Sequence, residues 1–312
     1  MLQIWARNAE MIILDGGLGR QLAAMGAPFQ QPQWSAATLI EAPHFVRAAH
    51  EAFIAAGVDV ISTNSYAVVP HHIGEEMFAE RADELLDVAA REATAAVTAA
   101  DRPIKIAASV PPMFGSYLPD RFDEIRGREM MKKFRQQLAP VADIFIAETL
   151  SVISEVTTYL DVFEDVSADL WVSVSLDDVN HDPDEPRLRS GEPLAALLSA
   201  IEPRRFDALL FNCSQPEVMS DAIILARSTL DGFARKQGKV EPLIGVYANA
   251  FPLFDESYQG SNASLVEIRA DITPENYTRY AQKWAREGAD IIGGCCGISP
   301  DHIAHLVKTL RA

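Results

Sequence analysis

Short apolar runs rich in β-branched residues recur along this chain, each followed by a longer amphipathic stretch. The runs are MIIL at 11–14, VDVIST at 58–63, IKIAAS at 104–109 and IFIAE at 144–148, then LWVSVS at 170–175, FDALLFN at 206–212, LIGVYA at 243–248 and ADIIGG at 289–294. Apolar runs of this length read as buried strands. Between them lie helix signals: Pro43–Ala56 closed by Gly57, an alanine-rich core from about Ala79 to Ala100, a segment near Arg128–Leu138 and another starting near Ser151. The second half continues with Pro193–Ala200, Pro216–Arg235, Pro274–Gly288 and a last helix from Pro300, capped by Ser299.

Buried strands alternating with helices imply a parallel sheet, because parallel neighbours need crossover connections. Eight such units support closure into an α/β (β/α)8 TIM barrel, which takes about 250 residues. The chain has 312 residues and reads as a single domain, 1–312. An open doubly wound sheet is the alternative, although no G-x-G-x-x-G follows the first strand. Two polar inserts, 176–192 and 249–272, follow predicted strands and are expected to cover the C-terminal face of the barrel.

Charge and hydropathy exclude some partners. The 27 basic against 44 acidic residues give a formal net charge of −17, which repels nucleic acid and anionic membranes. No stretch approaches the roughly 20 apolar residues that span a bilayer. The opening MLQIWARNAE carries charges where a signal peptide has its apolar run, so a cytoplasmic protein is expected.

Three cysteines occur: Cys213 after the sixth predicted strand, and Cys295 and Cys296 after the eighth. An odd number in such a chain argues against a disulfide framework. In a closed barrel the ends of strands six and eight open onto one mouth, so three thiols distant in sequence converge on a small volume. A lone cysteine there is readily a small buried hydrophobe. Three together suit zinc, which favours tetrahedral thiolate sites, and three ligands leave the fourth position open as in catalytic centres. His302 and His305 on the last helix are the residues to consider as a closing ligand.

These motifs resemble the homocysteine S-methyltransferase family. The similarity runs through ILDGGLGRQL (13–22), QWSAATLI (33–40), STNSY (62–66), AETL (147–150), FNCSQPE (211–217) and GGCCGISPDHI (293–303). The resemblance implies a barrel holding Zn2+ through Cys213, Cys295 and Cys296, with homocysteine adding its sulfur and leaving as methionine. A metal-bound thiol is deprotonated and stays nucleophilic where a free one near pKa 8.5 is mostly protonated.

The same resemblance places Asp15, Gly16, Gly17, Asn64, Tyr66 and Glu148 at the substrate, with the two acids near its amino-acid end. Asp15 also reads as a turn former beside its glycines, Glu148 as a charge at a helix start, and Tyr66 as a packing residue. His71 and His72 read as a solvated loop, and Trp34 as packing between barrel and first helix. Compact relatives use sulfonium donors such as S-methylmethionine or S-adenosylmethionine, and others use betaine. Phe251, Phe254 and Tyr258 are candidates to shelter a cationic donor, or form an ordinary loop core. Two further readings stay open: a redox-sensing zinc–thiolate protein without turnover, and a methyltransferase for another thiol or a selenol. Sequence leaves the oligomeric state open.

Overall fold

The computed structural model describes residues 10–202, 204–237, 240–253 and 267–311, without the side chain of Gln237. Eight strands form one sheet: β1 (Ile12–Ile13), β2 (Val60–Ser62), β3 (Lys105–Val110), β4 (Ile144–Leu150), β5 (Asp169–Val174), β6 (Ala208–Asn212), β7 (Leu243–Tyr247) and β8 (Ile291–Ile292). Their order in the sheet is β1-β8-β7-β6-β5-β4-β3-β2, with all ladders parallel. The circle closes between β1 and β2 through a parallel bridge, Leu14 to Val60, and the amide of Asp59 donates to Ile13 at 2.8 Å. A closed parallel barrel is therefore the architecture, not an open sheet.

The first half of the outer layer is α1 (Leu18–Ala24), α2 (Ser35–Glu41), α3 (His44–Ala56), α4 (Pro70–Ile73), α5 (Glu75–Ala99) and α6 (Glu124–Leu138). The second half is α7 (Ile153–Phe163), α8 (Leu194–Ile201), α9 (Met219–Gln237), α10 (Pro274–Glu287) and α11 (Pro300–Leu310). Along α5, Phe78, Ala82, Leu85, Leu86, Ala89 and Ala93 recur every three or four residues and are buried, the stripe a helix needs to lie on a sheet. The α11 start is a capping box in which His302 Nδ1 faces the amide of Ser299 at 3.3 Å. Sequence periodicity missed α1, α2 and α4, which are too short to show a full stripe. No helix among the described residues is long and apolar enough to cross a membrane.

Strand alternation sorts side chains into two cores. Ile12, Leu14, Val60, Ile144, Ile146, Trp171, Leu210 and Ile291 fill the barrel interior. Their neighbours Ile13, Ile61, Phe145, Val172, Leu209 and Ile292 point outward into the helix layer. Burying each such side chain contributes about 1.5–3 kcal/mol. Continued to the C-terminal ends of the strands, the inward register delivers Ser109, Glu148, Ser173, Asn212 and Tyr247, so the interior turns from apolar to polar toward one mouth.

The opposite end carries a fourfold device. An aspartate immediately precedes each even-numbered strand: Asp59, Asp143, Asp207 and Asp290. Their carboxylates accept the amides of Ile13 (2.7 Å), Ile106 (3.0 Å), Leu170 (2.8 Å) and Ile244 (2.9 Å) on the adjoining odd-numbered strands. Each also meets a cation, from Arg311, Lys105, Arg205 and Arg227 respectively. The foot of the barrel is thus a ring of charge-assisted bonds that fixes strand against strand.

Candidate metal centre and acceptor pocket

A cavity of about 140 Å³ opens at the polar mouth, and the three cysteines lie in its wall. Cys213 follows β6, while Cys295 and Cys296 follow β8. Their sulfurs all lie within 4.8 Å of one another. Cys295 Sγ is 2.8 Å from Cys213 Sγ, and Cys296 Sγ is 4.0 Å from it. Hydrogen bonding with Cys295 and then Cys296 holds the pKa of Cys213 well below the usual thiol value, while the bonds that Cys295 makes with Cys213 and Cys296 raise its own. One proton thus leaves readily, and further ionisation is opposed by the charge already present. A cation among the three sulfurs removes that opposition, and soft thiolates suit zinc or another thiophilic metal.

The turns that carry the sulfurs are closely packed. A Cβ on Gly17 would stand 2.6 Å from the carbonyl oxygen of Cys295, and one on Gly16 would stand 2.4 Å from that of Ile298. Only glycine lets the β1 turn approach the β8 turn this closely. Cys213 itself has φ 52°, and its amide donates to Tyr247 O at 3.2 Å. Its carbonyl accepts from Tyr117 Oη and Asn249 Nδ2, each at 2.9 Å. The other non-glycine residues with positive φ among the described residues are Trp34, Tyr117 and Thr149, and all four line this cavity. Such conformations cost of order 1–3 kcal/mol each and gather where function demands them.

Two carboxyls lie beside the sulfurs. Asp15 is buried and accepts from Ser62 N at 2.7 Å and Ser62 Oγ at 3.1 Å. Burial nevertheless raises its pKa to about 8, with the charge of Glu148 adding to the shift. Glu148 accepts from Ser109 Oγ, and burial raises it to about 7, with Cys213 adding. Beside it, the buried Tyr247 hydroxyl faces Glu148 and Ser173. Paired carboxyls held near neutrality lack a cation, which an ammonium group would supply.

The remaining sequence candidates divide. Asn64 is buried and donates to Ser35 O at 3.2 Å, while Tyr66 Oη shares a 2.6 Å hydrogen bond with Ser116 Oγ; both line the cavity. Trp34, read as packing, lines it too, in a row with Phe29 (6.0 Å) and His72 (5.6 Å). His71 and His72 are not a solvated loop. They lie in α4, with His72 buried and its Nδ1 3.1 Å from Pro32 O, because the Trp34 ring packs on His72 and His71 stacks edge-on against it. His302 and His305 bond to Ile272 O and Thr278 Oγ1 (2.9 Å each) and do not join the cysteine group. Phe251 lines the cavity, but the guanidinium of Arg20 stands over its ring at 5.5 Å, so a cation already uses it. Phe254 and Tyr258 lie outside the described residues.

A family model described as homocysteine S-methyltransferase matches residues 12–310. The chain belongs to the homocysteine S-methyltransferase family. Homocysteine S-methyltransferase 3 of Zea mays is 27% identical over 326 residues, covering 96% of this chain and 90% of that protein. Selenocysteine methyltransferase of Astragalus bisulcatus is 26% identical over 336 residues, covering 96% and 92%. Among solved structures, the metallated form of the homocysteine methyltransferase MmuM from Escherichia coli shares the fold. Its TM-score is 0.73 at 24% identity, covering 98% of this chain and 97% of that one. Fold class and family are as the motifs led us to expect.

Sequence reading passed over several residues that line or brace this cavity. Ser109 and Tyr247 carry a usable signal: each falls at an inward position near the C-terminal end of its strand. Asn249 follows β7 as Cys213 follows β6, which is weaker. Tyr117 and Arg20 carry none, since a loop and a short helix place them.

Proposed function

We propose that the protein transfers a methyl group to the thiolate of homocysteine, forming methionine, at a zinc ion held by Cys213, Cys295 and Cys296. The observation that carries this reading is the convergence of three sulfurs with two neutral-leaning carboxyls on one cavity. Bound zinc would keep the acceptor sulfur deprotonated at neutral pH. Asp15 and Glu148 bind the acceptor's ammonium group and ionise as they do so, each stabilised by a serine hydroxyl already in place. Gly16 and Gly17 let the backbone approach the acceptor, and Asn64 braces the loop after β2 against Ser35. Tyr66, Trp34 and Phe29 wall the side from which a donor enters.

The donor is a sulfonium, S-methylmethionine or S-adenosylmethionine, with betaine as the ammonium alternative. Thiolate sulfur forms a bond to the methyl carbon as the carbon–sulfonium bond breaks, and the donor departs as a neutral thioether. Aromatic faces favour such a cation before transfer and lose that attraction afterwards. Selenocysteine methyltransferase among the relatives favours a second reading, in which a selenol replaces the thiol at the same site.

The test is zinc analysis of the purified protein, followed by incubation of homocysteine with each donor in turn and detection of methionine by mass. Near-stoichiometric zinc and methionine from at least one donor are expected, and Cys296→Ala loses both. Undiminished turnover by metal-stripped protein would reject the mechanism.

A further inference from the structure

The insert between β5 and α8 turns two charged side chains inward. Arg189 is 11% exposed and Asp178 4%. Arg189 Nη1 donates to Asp178 Oδ1 at 2.6 Å, and Asp178 Oδ2 accepts the amide of Gln215 at 3.1 Å. Gln215 is two residues beyond Cys213. On its other side, the guanidinium carbon of Arg189 lies 4.7 Å from the centroid of the Tyr117 ring. The phenol of Tyr117 donates to the carbonyl of Cys213 at 2.9 Å. One cation therefore reaches the Cys213 turn by two routes, on loops from three different strands.

The arrangement is costly. Arg189 Nε and Nη2 are buried and have no hydrogen-bond partner among the described residues, an unfavourable state for an ion unless negative charge lies near. The Asp178 carboxylate provides such charge on one side only, which ties the guanidinium to the place where Asp178 and the Tyr117 ring meet. Cys213 and Tyr117 both hold positive φ, 52° and 63°, and strained residues persist only where their surroundings over-determine them. Arginine suits the place because a flat guanidinium stacks on a ring while its edge pairs with a carboxylate. A lysine ammonium cannot do both.

We propose that Arg189 is a positioning residue of the metal centre, fixing the Cys213 turn through Tyr117 and Asp178 so that its sulfur stays with those of Cys295 and Cys296. The inference rests on the reading of the cysteine trio as a zinc site, a donor set its sulfurs fit.

The experiment compares the full-length wild type with Arg189→Met, Arg189→Lys and Tyr117→Phe. Zinc affinity is measured by competition with a chromophoric chelator, and the cobalt-loaded proteins are compared by their thiolate-to-metal absorption bands. We expect Arg189→Met and Tyr117→Phe each to lose at least about tenfold in zinc affinity and to shift the cobalt bands. Circular dichroism should be unchanged, kcat should fall more than the acceptor KM changes, and Arg189→Lys should recover little. Wild-type affinity and cobalt bands in folded Arg189→Met and Tyr117→Phe would overturn the proposal. If Arg189→Met does not fold, Tyr117→Phe decides alone. A wild type without zinc overturns the metal reading and this proposal together. A wild type that holds zinc but methylates no homocysteine overturns the reaction only, and the affinities still judge Arg189.

Discussion

The α-carbon of Gly17 lies so close to Cys295 that a methyl group there would stand 2.6 Å from the Cys295 carbonyl oxygen. Backbone, unlike a flexible side chain, cannot swing away from such a contact. Gly17→Ala should therefore displace the turn that carries two of the three sulfurs. We expect about 1–3 kcal/mol of lost stability and a larger proportional loss of bound metal. Thermal unfolding and metal analysis on the same sample check this. Unaltered metal content in the alanine variant would show that the close approach does not govern the centre.

The pair Asp15 and Glu148 predicts a pH dependence for acceptor binding. Burial raises their pKa values to about 8 and about 7, so at pH 6 both are largely neutral in the empty site. An ammonium ligand needs them ionised. The KM for the acceptor should therefore fall as pH rises through 7 to 8, with proton release on binding below that range. Glu148→Gln, which cannot ionise, should raise acceptor KM by roughly 10–100-fold, the loss of one charged hydrogen bond, and flatten the profile. A profile unchanged in Glu148→Gln would count against its contact with the substrate.

The same shifts make stability depend on pH in two opposed directions. Buried Glu155 joins Asp15 and Glu148 with a pKa raised to about 7. These native carboxyls keep protons that the unfolded chain gives up above about pH 4, so their contribution is full below that and is lost as pH rises from there to about 7 to 8. His50 acts oppositely. It is fully buried, both ring nitrogens lack partners among the described residues, and burial lowers its pKa to about 4. The unfolded chain protonates this imidazole below about pH 6.5, so stability is lost as pH falls from there toward 4. His50→Leu should gain on wild type by about 1.4 kcal/mol per pH unit across that window. Parallel denaturation curves at pH 5 and pH 8, with no differential gain at pH 5, would contradict this account.

The aromatic row predicts which substrate an aromatic change affects. Trp34 lines the cavity, whereas the acids lie beside β1 and β4. Trp34→Leu should raise the KM for a sulfonium donor by up to about 30-fold, the upper range of a desolvated cation–π contact. The acceptor KM should stay within about twofold. An equal rise in both would place Trp34 at the acceptor or in the fold instead.

The barrel and the cysteine trio were legible because both follow from strand periodicity: runs of fixed length give eight strands, and residues just past strand ends share a mouth. Glu148 was legible for the same reason, as the polar end of IFIAE. What stayed hidden depends on contacts that no local pattern records. Trp34 reaches the cavity from a strained position at the start of a seven-residue helix, and His72 is buried by partners 40 residues away in sequence. Arg189 sits in a polar insert whose composition suggests solvent, and only its neighbours Asp178 and Tyr117 reveal that it points inward. The aspartates before β2, β4, β6 and β8 were readable in VDV, ADI, FDA and ADI, but their shared purpose appears only once neighbouring strands are paired.

That ring of aspartates has a consequence at the far end of the molecule. A one-residue slip between neighbouring strands would send Glu148, Asn212 and Tyr247 into the helix layer and bring Ala147, Phe211 and Val246 inward. Alignment is settled at the foot, so segments around the mouth are at liberty to change in length and composition without unsettling it. A different choice of methyl donor is thus reachable by exchanging loops over an unaltered frame.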